Sequence, residues 1–126
     1  MNAIELARSA YASTRTTART DRSTEYHVFA RITRDMTIAG KRGKTGFPAL
    51  ARALHENRKL WQIIASDVAH PENKLPEQLR ARLFYLAEFT LQHSRQVLAG
   101  EQTVDALIDI NTNVMRGLKG VRGETS

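Results

Sequence analysis

Cysteine is absent from the 126 residues, which removes disulfides, thiolate metal sites, iron–sulfur clusters and cysteine nucleophiles together. Long apolar runs are missing too: no stretch approaches the roughly 20 apolar residues needed to cross a bilayer. The opening Met1-Asn2-Ala3-Ile4-Glu5-Leu6-Ala7-Arg8 lacks the basic-then-apolar order of a secretion signal. A cytoplasmic protein with no membrane span is the expectation. Nowhere do β-branched and aromatic residues alternate between turn signals, so no strand is predicted, and no motif returns at a fixed period.

Against these absences stand an average hydrophobic content of 41% and a charged content of 25%, the balance of a chain that folds. The length suits one domain spanning residues 1–126. Net charge is +6, and it is lopsided: residues 1–60 hold twelve Lys/Arg against five Asp/Glu, residues 61–126 seven against eight. A basic half attracts nucleic acid, anionic lipid or an acidic protein, and it equally describes a solvated surface.

Ile4, Leu6, Ala7, Ala10 and Tyr11 fit a short amphipathic helix over residues 1–12, and the Thr- and Arg-rich residues 13–22 read as a polar linker. A second helix is predicted from Ser23 or Thr24, whose hydroxyls can cap it, to Gly40, with Tyr26, Phe29, Ile32, Thr33 and Met36 largely on one side. Residues 40–46 form a glycine-punctuated basic loop. A third helix opens at Phe47 and Pro48 and carries Leu50, Leu54, Trp61 and Ile64, with Asn57 and Leu60 as candidates for the same stripe. Pro71 breaks it.

The fourth helix runs from about Pro76 to Ala99, with Leu79, Leu83, Leu86, Ala87, Thr90, Ser94 and Val97 facing inward and Gly100 as its stop. The fifth starts at Thr103 and carries Leu107, Ile108, Asn111, Val114, Met115 and Leu118. Gly117, Gly120 and Gly123 mark fraying into a flexible tail over 119–126. The expected fold is therefore all-α: a small antiparallel bundle of four to five helices occupying residues 23–118. Whether the N-terminal helix packs on it or is mobile stays open.

No catalytic constellation emerges. Gly43-Lys44-Thr45 resembles part of a phosphate loop, but Ile38 stands where that loop needs its first glycine, and a helix precedes it instead of a strand. His27, His55, His70 and His93 include no i, i+4 pair that would place two imidazoles on one metal, and each reads as a surface or boundary histidine. His55-Glu56 would need a further histidine where Lys59 stands. Asp105 and Asp109 lie one turn apart and read as a solvent-facing pair. Neither a metal, nor a cofactor, nor an enzymatic activity is expected.

Asn57-Arg58-Lys59-Leu60-Trp61 is more informative. Indole is highly buried on average, so Trp61 is first of all a core anchor; an aromatic beside cations is also the composition of a binding hot spot. Taken in order, Thr24-Glu25-Tyr26 with Phe29 and Thr33-Arg34, then Asn57 to Trp61, Asn73-Lys74-Leu75-Pro76-Glu77-Gln78-Leu79-Arg80, His93-Ser94, and Leu107-Ile108-Asp109-Ile110-Asn111 with Met115 and Gly117-Leu118 resemble the flagellar biosynthesis regulator FlaF of alphaproteobacteria. The resemblance covers residues 2–118.

That resemblance implies a cytoplasmic factor needed for flagellin production and flagellum assembly, associated with flagellin and with the companion regulator FlbT, a repressor of flagellin translation. Flagellin ends are amphipathic segments, and a helix bundle offers them a helix-in-groove site. Candidate contacts for such a chaperone are Tyr26, Phe29, Met36, Leu60, Trp61 and Met115, methionine suiting an adaptable groove. A second expectation is contact with flagellin messenger RNA through a basic surface of Arg15, Arg19, Arg22, Lys41, Arg42 and Lys44; a third is a self-associating homodimer. The basic loop at 40–46 departs from the acidic or neutral connector expected of the family.

Overall fold

The computed structural model describes residues 17–125, with side chains described for 25–117. Four helices follow one another: α1 (Thr17–Lys41), α2 (Phe47–Ala69), α3 (Glu77–Leu98) and α4 (Asp105–Thr125), with a single 3₁₀ turn at Gly43–Gly46 between the first two. Among the described residues there is no strand. The expected all-α bundle is the observed one, and the helix expected over residues 1–12 lies outside the described residues.

α1 begins six residues before Ser23, so residues 17–22 are helix and not linker. Capping hydroxyls at Ser23 and Thr24 mark one place where a helix can start, but Ala18, Arg19 and Arg22 are good helix formers, and extending an existing helix is far cheaper than nucleating one. The same reasoning covers the C-terminal end. The backbone stays helical to Thr125 through Gly117, Gly120 and Gly123, each glycine lowering helix stability by about 1 kcal/mol without breaking the hydrogen-bond ladder.

The helices are arranged cyclically. α2 packs against α1 and α3, and α4 packs against α1, while the consecutive pair α3 and α4 touch each other least. At the corner between α1 and α2, Arg42 donates its backbone N–H to the Ala39 carbonyl at 3.2 Å. Gly46 sits so close beneath this turn that a Cβ would overlap the Ala39 carbonyl oxygen and lie 2.7 Å from the Arg42 Cβ. Only glycine fits there. Gly40 lies against the Val104 side chain, which sets the C-terminal end of α1 beside the N-terminal end of α4 and makes the two antiparallel.

The predicted stop of α3 is a full C-cap. Gly100, at φ 78°, donates its N–H to the Val97 carbonyl at 3.0 Å and Glu101 donates to Gln96 at 2.8 Å, the paired bonds of a Schellman motif. The α2–α3 connection is held by side chains: the Asn73 amide donates to the Asp67 carbonyl at 3.0 Å, its Oδ1 accepts from the Leu75 N–H at 3.0 Å, and Arg80 Nε donates to the Leu75 carbonyl at 3.0 Å.

Inside the bundle, Phe29, Ile32 and Met36 of α1 meet Leu54, Trp61 and Ile64 of α2, Ala87 and Val97 of α3, and Leu107 of α4. Phe29 meets the Trp61 indole edge to face at 5.9 Å. A polar layer crosses this core. Trp61 Nε1 donates to Asn111 Oδ1 at 3.0 Å, and Asn111 Nδ2 donates to Asn57 Oδ1 at 2.8 Å. All three side chains are fully buried. They join α2 to α4 across the diagonal of the bundle, where the backbones do not approach.

Candidate protein-binding surfaces

The expected contact residues divide sharply. Phe29, Met36, Leu60 and Trp61 are buried in the core, so they cannot meet a partner without unfolding the bundle. Their helix stripes are amphipathic, and the face with the largest side chains is the one that removes most apolar area from water. Tyr26 and Met115 are partly buried, and Met115 packs against the core cluster. Of the basic set, Arg15 lies outside the described residues and Arg19 and Arg22 lie on α1 with side chains outside them. Lys41, Arg42 and Lys44 are exposed together at the α1–α2 corner.

What lies outside is a different apolar set, concentrated on α3 and the loop before it: Leu75, Leu79, Phe84, Tyr85 and Phe89, with Tyr85 67% exposed. Leu79, Leu86, Phe89 and His93 recur at spacings of seven, three and four, which is one helical stripe. Its direction is set at His93, whose Nε2 donates to the Thr103 carbonyl at 2.9 Å just ahead of α4 and whose ring stacks on Phe89 at 5.2 Å. The stripe therefore runs along the α4 side of α3, beside the sparsest helix contact of the bundle. His93 is buried in this arrangement, and is neither the surface nor the boundary histidine expected; the Phe89 ring and the loop carbonyl enclose it. His27, His55 and His70 are exposed.

One signal in the sequence marks this surface. Leu83-Phe84-Tyr85-Leu86 are four successive large apolar residues, and at 100° per residue such a run sweeps most of the way around a helix. A single buried face cannot absorb it. Leu83 and Leu86 pack on the core; Phe84 and Tyr85 are left facing water.

The second surface lies at the α1–α2 corner. A cleft of about 290 Å³ is lined by Asp35, Ile38, Ala39 and Arg42 of the first helix and its turn, and by Ala49, Arg52, Ala53 and Glu56 of α2. Its two carboxylates share one guanidinium: Arg31 Nη1 lies 3.7 Å from Asp35 and donates to Glu56 at 3.2 Å. Arg34 approaches Asp35 at 3.9 Å. Among the described residues, Lys41, Arg42, Lys44 and Arg52 make no ion pair.

No group of three or more His, Cys, Asp or Glu among the described residues is placed to hold a metal, and no described helix is long and apolar enough to cross a membrane. The bundle thus spends buried polar side chains on stitching its core and turns spare apolar ones outward. Residues 7–118 match the family described as Flagellar protein FlaF, and the chain belongs to that family, whose members are non-enzymatic flagellar regulators. No curated protein and no solved structure matches it.

Proposed function

We propose that this chain is a cytoplasmic flagellin-binding regulator and secretion chaperone, needed for flagellin production and flagellum assembly, and that it holds an amphipathic helical segment of flagellin along the α3–α4 seam. The observation that carries this reading is the outward apolar stripe of α3 next to its loosest neighbour. Leu79 and Phe89 present exposed anchors with the half-buried Leu86 between them, on the kind of apolar stripe that a docked helix covers, and Tyr85 adds an aromatic of the kind that dominates binding energies. Family membership supports flagellin as the partner. In this reading the groove lies on α3, and Phe29, Met36, Leu60 and Trp61 belong to the core of the bundle.

Co-expression with flagellin and isolation of the complex tests the proposal. Full-length flagellin should co-purify, flagellin lacking its terminal segments should not, and Tyr85→Glu with Phe89→Glu should abolish recovery. Equal recovery of truncated flagellin, or capture undiminished by the double variant, would overturn it. If the chain alone is a stable dimer by light scattering and the double variant is monomeric, the stripe is a homodimer interface instead.

A further inference from the structure

The α1–α2 corner is unused by the flagellin reading, and its chemistry is distinct from the α3 stripe. The floor of the cleft is apolar and shallow, made of Ala39, Ala49 and Ala53, with Ile38 at its edge still 53% exposed. Phe47 stands beside the same turn, 46% exposed. Around the opening, the two acids are engaged by Arg31 and Arg34, which leaves Arg42 and Arg52 within the cleft, and Lys41 and Lys44 next to it, as cations that make no ion pair among the described residues.

The start of α2 adds no negative charge at the opening. α2 starts at Phe47 with no acidic residue in its first turn, so no carboxylate of that turn offsets the cations beside it. Rigidity follows from the packing of Gly46 under the Ala39 carbonyl: the turn that presents Arg42 cannot shift away from α2 without opening that contact.

We propose that this cleft is a second docking site, for a short acidic segment of a partner protein that carries one apolar side chain among its carboxylates. The apolar side chain occupies the alanine floor beside Ile38, and flanking carboxylates pair with Arg42 and Arg52, whose planar guanidinium groups suit two-pronged recognition of carboxylate. A nucleic-acid strand fits less well. Asp35 and Glu56 line the same cleft, and a polyanion with a charge on every unit meets their repulsion, whereas a peptide places its charges locally and offers N–H donors to those carboxylates. The proposal stands apart from the flagellin reading, because it uses no residue of the α3 stripe.

The test titrates fluorescein-labelled heptapeptides, each with one leucine or phenylalanine set among aspartates and glutamates, onto the full chain by fluorescence anisotropy. Lysine-for-acid peptides and a single-stranded uridine heptanucleotide serve as the other arms. Saturable binding of the acidic peptides is expected, weakening as salt rises. Arg42→Glu with Arg52→Glu should lower affinity by about tenfold or more, Arg42→Lys with Arg52→Lys should keep most of it, and Ile38→Ser should select against the apolar anchor. All these positions are exposed, and unchanged helical circular dichroism confirms that the variants fold. Tyr85→Glu with Phe89→Glu should bind the peptides as the parent does. Absence of saturable binding, equal binding of the lysine peptides, indifference to the double charge reversal, or preference for the oligonucleotide would each overturn the proposal, the last in favour of an RNA site.

Discussion

α2 and α3 are neighbours of nearly equal length that use their apolar residues in opposite ways. α2 turns Leu54, Leu60, Trp61, Ile64 and Val68 into the core, and Phe47 at its first position is its one exposed large apolar side chain. α3 buries mostly small or polar residues, Ala87, Thr90, His93, Ser94 and Val97, and leaves Leu79, Phe84, Tyr85 and Phe89 at the surface. A helix that places its small side chains inside and its aromatics outside is not optimised for holding the bundle together. The difference separates the part of the molecule that supplies stability from the part available for recognition.

Substitutions test that division, and Trp61→Ala should have the largest effect. Loss of a fully buried indole and its hydrogen bond is expected to destabilise the bundle by about 3–5 kcal/mol, read as a fall in the denaturation midpoint in urea. Asn111→Ala should come next, at about 2–3 kcal/mol, because it strands the Trp61 N–H and the Asn57 carbonyl oxygen without partners; a double-mutant cycle with Asn57→Ala should show strong coupling.

Gly100→Ala forces an ordinary residue to φ 78° and should cost about 1 kcal/mol, visible as a lowered Tm with an unchanged circular dichroism spectrum. Tyr85→Ser should move stability by no more than about 0.5 kcal/mol while reducing flagellin capture. If Tyr85→Ser proved as damaging as Asn111→Ala in denaturation, α3 would be structural in the same sense as α2 and the division would fail.

Much of this bundle is readable from residue order. The 3.6-residue periodicity identifies α2 and its inward Leu54, Trp61 and Ile64, and the expected start at Phe47 and end at Ala99 fall within a residue of the observed Phe47 and Leu98. Less readable are features that depend on the distance between helices. Phe29, Met36 and Leu60 have the composition of an adaptable groove, and only the closeness of α1 to α2 shows them to be core. Leu79 has the spacing of an inward residue and is expected to face the core, and the looseness of the α3–α4 contact leaves it exposed. Arg31 lies 25 positions from Glu56 in the chain, so their pairing, which leaves Arg42 and Arg52 as the unpaired charges of the cleft, has no local signature.

The hydrogen bonds from Trp61 to Asn111 and from Asn111 to Asn57 connect positions 50 and 54 residues apart. A folding intermediate made of α1, α2 and α3 would bury an indole N–H and an amide with nothing to receive them, each omission costing about 1–3 kcal/mol. The apolar residues could collapse in several arrangements, but only α4 in the correct rotation and depth gives the Trp61 N–H an acceptor and the Asn57 Oδ1 a donor. Asn111 thereby ties the rotation of α4 to that of α2: a turn of either helix about its axis breaks both buried bonds at once.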